Sequence, residues 1–338
     1  MLAKDKLNDW LTSLQKYYFL APTESDGVIL FKRISDPADI VLDQKAVNSA
    51  KRILFPQTET LFTFTTGLNK RLDPPSGENG TRIIFGLRPC DAKSLSTLDH
   101  VFNDKYRDEH YMQARESSIL IGQACVRPGA NCFCTSFDYG PGSKEDVDIL
   151  LTDIGNSYYV DVVTDKGREL IEESSSLFIS GSNDGDDENT RNEVIATSES
   201  QFKRRLDVDG VPEKLEQIFE RDLWKQISMK CLGCGICTYL CPTCHCFDIQ
   251  DEVHLSKGRR ARMWDSCMYP EYTIHTSGHN PRPARMNRIR NRVYHKFKYY
   301  PENFNAFLCV GCGRCVDLCP VNIDIIDIVE RVRREPHD

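Results

Sequence analysis

The sequence predicts an α+β fold in two parts, an N-terminal α/β domain over residues 1–205 and an α-helical domain over residues 206–338. Three observations predict it. Strand, turn and helix patterns alternate through the first half, eight cysteines in the second half fall into two identically spaced runs, and apolar residues step at helical intervals on the outer flanks of those runs. With 338 residues, 40% of them apolar and 28% charged, the chain is long enough for roughly two independently packed domains. A net charge of -7, from 43 basic and 50 acidic residues, does not suggest a nucleic-acid binder. The longest apolar runs are far shorter than the roughly 18 residues that a transmembrane helix needs. A cytoplasmic protein with no membrane span is expected.

In chain order, MLAKDKLNDWLTSLQKYYFL interleaves charged and apolar residues, so it reads as an amphipathic helix and not as a signal peptide. TRIIFGLRPCDAKSLSTLDHVF reads as a buried strand, a turn at Arg88 and Pro89, then a helix. SSILIGQACV is a second strand, and VDILLTD and SYYVDVVTD are two more. The segment SGSNDGDDENTRNE, from residue 180, has no apolar periodicity and is expected to be a solvated loop closing the α/β domain. Beyond it, VPEKLEQIFERDLWKQISM and IDIIDIVERVRREP carry helical periodicity before the first cysteine run and after the second.

The chain has fifteen cysteines, and in a reducing compartment so many thiols point to metal binding. Cys231, Cys234, Cys237 and Cys241 stand in CLGCGICTYLCP, and Cys309, Cys312, Cys315 and Cys319 in CVGCGRCVDLCP. Both read C-x2-C-x2-C-x3-C-P. Three thiolates two residues apart can take three corners of an iron–sulfur cube from one tight loop, while the fourth ligates the other cluster in two-cluster ferredoxins. The expected ligand sets are therefore crossed. Cys231, Cys234, Cys237 and Cys319 hold one [4Fe-4S] cluster, and Cys309, Cys312, Cys315 and Cys241 hold the second. A pair of zinc sites would leave the third cysteine and the trailing Pro242 and Pro320 unexplained. The long separation between the motifs calls for an expanded α-helical ferredoxin-type domain with the motifs packed between helices.

That intervening insert is basic, with eleven Lys or Arg between Ser256 and Tyr300 against Asp265 and Glu271. Cations beside clusters offset their negative charge and raise their potentials. The alternatives are an acidic partner surface and, given Trp264, Tyr269, Tyr272 and Tyr294, nucleic acid.

Seven cysteines lie outside the motifs. Cys90 follows one predicted strand and Cys125, Cys132 and Cys134 follow the next, so adjacent parallel strands would bring all four to one end of the sheet. A third metal site, iron–sulfur or zinc, is expected there, against the alternative of thiols buried by the fold. Cys244, Cys246 and Cys267 are expected to pack beside the clusters; a further site with His245, His275 or His279 is the weaker reading. His275 and His279 lack the glutamate of HExxH, and the Thr, Ser and Gly between them oppose a regular helix. No GxGxxG follows a strand and no GxxxxGK[ST] occurs, so no flavin or nicotinamide site is expected in this chain.

Taken together, FGLRPCDAKSLSTLDHVF, CVRPGANCFCTSFDYGPG, CLGCGICTYLCPTCHCFD, WDSCMYPEYTIHTSGHNPRP and CVGCGRCVDLCPVNIDI resemble the two-cluster ferredoxin-like family that includes the beta subunit of sulfhydrogenases and the ferredoxin-like subunit of anaerobic sulfite reductase. The resemblance spans about residues 80–330. It implies a non-catalytic electron-transfer subunit, relaying electrons between a flavin- and NAD(P)-binding subunit and a catalytic partner of hydrogenase, sulfite reductase or heterodisulfide reductase type. An autonomous iron–sulfur reductase would instead turn over substrate alone. An iron–sulfur regulator would bind nucleic acid in a salt-sensitive way.

Overall fold

The computed structural model describes residues 1–75, 80–179 and 185–336. Eleven strands form two sheets. β1 (Leu2–Ala3), β2 (Tyr18–Ser25), β3 (Val28–Arg33), β6 (Arg82–Leu87), β7 (Ser118–Gln123), β8 (Ile149–Asp153) and β9 (Ser157–Val162) form a seven-stranded sheet in the order β1-β9-β8-β7-β6-β2-β3. β4 (Thr58–Thr65), β5 (Arg71–Asp73), β10 (Phe247–His254) and β11 (Lys257–Trp264) form a second sheet in the order β10-β11-β4-β5.

The centre of the large sheet is parallel, from β2 through β6 and β7 to β8. Parallel strands covered on both faces are apolar throughout, and every residue of β7 is buried. The period-2 alternation of strand side chains separates two cores. Ile83, Phe85, Ile119, Ile121, Ile149 and Leu151 face Trp10, Leu11 and Leu14 of the N-terminal segment. Ile84, Leu87, Leu120 and Leu150 face Leu95, Leu98 and Phe102. Those last three lie on the Pro89–Phe102 helix, which begins with Pro89 in its first turn, where its fixed φ suits a helix start and no hydrogen bond is lost.

Four expectations need correction. The N-terminal twenty residues do not form one helix: a helix covers Leu7–Ser13, and Tyr18 onward enters β2, because Phe19 and Ala21 are needed in the sheet core. Residues 180–184 of the expected loop lie outside the described residues, but Asp186–Ser200 is helical. Asp186, Asp187 and Glu188 in its first turn complement the helix dipole. It docks through isolated contacts that leave no apolar stripe to read: Ile195 against Gly142, Arg191 to Asp161 at 3.5 Å and Ser198 to the Cys125 carbonyl. The second half is not purely helical, since the insert contains the β10–β11 hairpin. Finally, that hairpin pairs with β4, so the second sheet draws two strands from each side of the expected 205/206 division.

The flanking helices occur where periodicity placed them, as Val211–Gln217, Leu223–Ser228 and Ile325–Arg334. With the Arg285–Tyr294 helix they bury Leu215, Trp224, Val293, Tyr294, Val329 and Val332 in a third core. Phe133 of the N-terminal half joins it. Among the described residues no helix is long and apolar enough to cross a membrane.

Candidate metal centre

Each cysteine motif starts as an open loop and ends in one short helical turn, Ile236–Tyr239 in the first and Arg314–Asp317 in the second. Glycines make this possible. Gly233, Gly235, Gly311 and Gly313 all have positive φ, between +58° and +76°, a region that costs a side chain roughly 1–2 kcal/mol. The resulting loops present backbone N–H groups to sulfur: Gly233 N to Cys231 Sγ at 3.3 Å, and Ile323 N to Cys319 Sγ at 3.2 Å.

Cys231, Cys234, Cys237 and Cys319 line one cavity of about 40 Å³, closed by Ile236, Ile289, Ile325 and Ile328 and also touched by Cys315 and Arg292. The fourth cysteine of the first motif stands elsewhere. Cys241 accepts from the Lys296 ammonium at 3.2 Å and is an electrostatic neighbour of Cys309, Cys312 and Cys315. Thus Cys319 sits with the first loop and Cys241 with the second. The two groups adjoin, because Cys237 and Cys241 lie on one helical turn and its end.

Burial dominates the thiol electrostatics. It pushes Cys309 up to about 11 and Cys315 up to about 12, and raises Cys237 and Cys312. Such thiols stay neutral until a metal displaces the proton. Cys241 is the exception, drawn well below the usual range by its contact with Cys244 and by Lys296. Burial opposes the charge on Lys296, yet Cys241, Cys244 and Cys309 hold its pKa above the ordinary lysine range. Lys296 lies in a π-helical turn, His295–Tyr299, that continues the Arg285–Tyr294 helix; wide turns of this kind recur at functional sites.

The pocket has the character of an anion cage. Arg292 is fully buried beside Cys237 and Cys315, and its Nε and one terminal nitrogen have no hydrogen-bond partner in the protein. A buried guanidinium with open donors is costly unless negative charge faces it, and thiolate-ligated clusters supply that charge. Arg285 donates to the Cys231 carbonyl. Arg314, inside the second motif, makes a two-pronged pair with Asp91 at 2.9 and 3.0 Å, with both side chains 1% exposed. This locks the Arg-Pro-Cys-Asp block onto the second loop.

The other cations of the insert serve the fold. Arg259 pairs with Glu252, Arg260 with Asp251, Arg262 with Glu59 and Asp108, and Lys298 with Glu302.

Cys90, Cys125, Cys132 and Cys134 line a separate cavity with Lys45, Arg88 and Cys312. Of the remaining thiols, Cys244 lies against Cys241, and Cys246 against Cys267. His245 is buried between Phe102 and His295, whereas His275 and His279 share an exposed turn closed by a His275 N to His279 O bond of 2.8 Å. Among the described residues, no three His, Cys, Asp or Glu side chains are gathered as the ligands of a single ion, at the motifs or elsewhere. Sequence reasoning missed Lys45 and Lys51. Lys51 is 2% exposed and donates to the Cys244 carbonyl at 2.7 Å. Nothing local marks either lysine, since their partners lie about 190 to 270 positions away.

Residues 230–323 match a model described as a 4Fe-4S dicluster domain. Over 318 residues the chain is 30% identical to sulfhydrogenase 2 subunit beta of Pyrococcus furiosus, covering 92% of this chain and 91% of that protein. The chain belongs to the sulfhydrogenase beta-subunit family. It is thus a 4Fe-4S protein of oxidoreductase electron transport. The similarity is wider than the motif blocks indicate, because 92% coverage reaches well into the first 80 residues. Those residues supply Lys45, Lys51 and half of the second sheet. No solved structure matches.

Proposed function

We propose that the chain is the wiring subunit of a multisubunit oxidoreductase, holding two [4Fe-4S] clusters and passing electrons between a flavin- and NAD(P)-binding subunit and a catalytic subunit. The observation that carries this reading is the pair of adjoining cysteine groups with exchanged fourth members and Arg292 buried at both. Cys231, Cys234, Cys237 and Cys319 are the proposed ligands of one cluster, and Cys309, Cys312, Cys315 and Cys241 of the other. When bound, such clusters supply reversible one-electron storage. The protein's own tasks are to space them, exclude water and bias their charge. The isoleucine wall excludes water from the first group, and Lys296 and Arg292 set positive charge beside the second.

Its partner contact is better supported at the first motif than along the basic insert, whose arginines are largely paired within the chain. Cys234 is exposed, and Leu232 and Met229 beside it are 63% and 75% exposed, an apolar rim of the kind that marks interaction surfaces.

The test is to mix the anaerobically purified, flavin-free chain with NADH or NADPH and follow cluster absorbance, then repeat with the copurifying flavoprotein. Reduction only in the second mixture is expected. Rapid bleaching by nicotinamide in the isolated chain overturns the proposal.

A further inference from the structure

We propose that Cys90, Cys125, Cys132 and Cys134 hold a third [4Fe-4S] cluster, set at the carboxyl end of the large sheet and packed directly against the second motif loop. This goes beyond the two motif clusters and does not depend on them.

The topology assembles the four thiols from two neighbouring parallel strands. Cys90 lies in the first turn of the helix that leaves β6, and Cys125 stands two residues beyond β7. Crevices outside the carboxyl ends of parallel strands are where α/β sheets bind ligands. The chain after Cys125 turns back through a Cys132 N to Gly129 O bond of 3.0 Å, and a single helical turn, Cys134–Ser136, begins at the last cysteine. Ser198 ties down the Cys125 carbonyl.

The first motif group provides an internal standard for an iron–sulfur cage in this protein. Its cavity is about 40 Å³; the one lined by Cys90, Cys125, Cys132 and Cys134 is about 30 Å³. Both are lined by four cysteines from distant segments, and each is touched by a neighbouring motif cysteine, Cys315 in one and Cys312 in the other. Cations are also matched. Where the first cavity has Arg292, this one has Lys45, with Nζ 3.7 Å from Cys132 Sγ, and Arg88.

The alternative occupant is one zinc ion. Four thiolates on zinc stand roughly 3.8 Å apart, from Zn–S bonds of about 2.3 Å in a tetrahedron. Neither these four nor the motif cysteines are gathered in that way, and the resemblance between the two cavities favours the same type of centre in both.

Position gives the centre a role. Phe133 N donates to Gly311 O at 2.8 Å, and Cys132 Sγ lies 3.6 Å from the Cys312 carbonyl. A cluster there adjoins the second motif group and extends the chain of centres away from the exposed Cys234.

The test is iron, acid-labile sulfide and zinc content of the anaerobically purified full chain, with paramagnetic resonance of the reduced protein. About twelve irons and twelve sulfides are expected for three cubanes, against about eight of each for two. The double variant Cys132→Ser/Cys134→Ser should lose about four of each while the motif signals persist. Should that variant not fold, Cys125→Ser, at the least buried of the four sites, is expected to lose the same third signal, and Cys267→Ser to retain it. About eight irons in the wild type, unchanged in the variants, overturns the proposal and leaves the two-cluster reading intact. One zinc lost with Cys132 and Cys134 also overturns it. Zinc without sulfide at the motif cysteines would instead defeat the two-cluster reading.

Discussion

The two cysteine motifs share their spacing but not their surroundings. The first loop lies near the surface, with Cys234 exposed and an apolar rim around it, and its cavity wall is largely aliphatic. The second loop is interior. Gly311 and Gly313 press against the backbone of residues 131–134, and Lys45, Lys296 and Arg314 surround the loop. A repeated motif therefore fixes what is bound and leaves the potential and accessibility of each copy to the rest of the fold. The second cluster should have the higher potential, because buried cations stabilise the reduced, more negative state.

The largest effect expected is on the exchange of fourth ligands. Cys319→Ser should remove or convert the cluster at the first loop, although Cys319 belongs to the second motif in sequence. Iron content and paramagnetic resonance would show about half of the motif-bound iron affected. Loss confined to the second-loop signal would break the comparison at its root.

Equivalent glycines give a sharper contrast. A Cβ at Gly311 would meet Cys134 Cα at 2.6 Å, a backbone atom that no rotamer change can move. At Gly233 the nearest atom is the Met268 carbonyl oxygen at 4.0 Å, leaving only the left-handed strain of about 1–2 kcal/mol. Gly311→Ala should therefore lower thermal stability and iron retention well beyond Gly233→Ala. Equal melting temperatures for the two variants would show that the second loop is not held by the residue 131–134 segment.

A smaller and more selective change is expected for Lys296→Met, which removes the ammonium 3.2 Å from Cys241 Sγ. The second cluster's potential should fall by about 60 mV, a tenfold change in a one-electron equilibrium, with the first cluster shifting less. A redox titration followed by paramagnetic resonance separates the two. A larger shift at the first cluster would reverse the electrostatic assignment.

Local pattern made much of this molecule legible. The strand at 82–87, the helix from Pro89, the strands at 118–123, 149–153 and 157–162 and the flanking helices all announce themselves by periodicity or by a helix-start proline. The helix Asp186–Ser200 does not, because it is anchored by Arg191, Ile195 and Ser198 through contacts of different kinds. Strands β4 and β5 were equally hidden, since their partner β11 lies about 200 residues away.

The sequence by itself determined the chemistry of the motifs, since metal-binding thiol spacing is set by a few covalently linked residues. It also determined that Cys90 and Cys125 approach each other, because parallel neighbours end side by side. Only the tertiary structure decided which cations face the thiols and which merely pair with carboxylates. Arg262 and Arg292 come from the same basic insert, yet one neutralises Glu59 and Asp108 and the other faces Cys237 and Cys315. Charge interactions act through space, so composition gives the number of cations near a motif, and only the packing of distant segments sets the direction and distance from which each one acts.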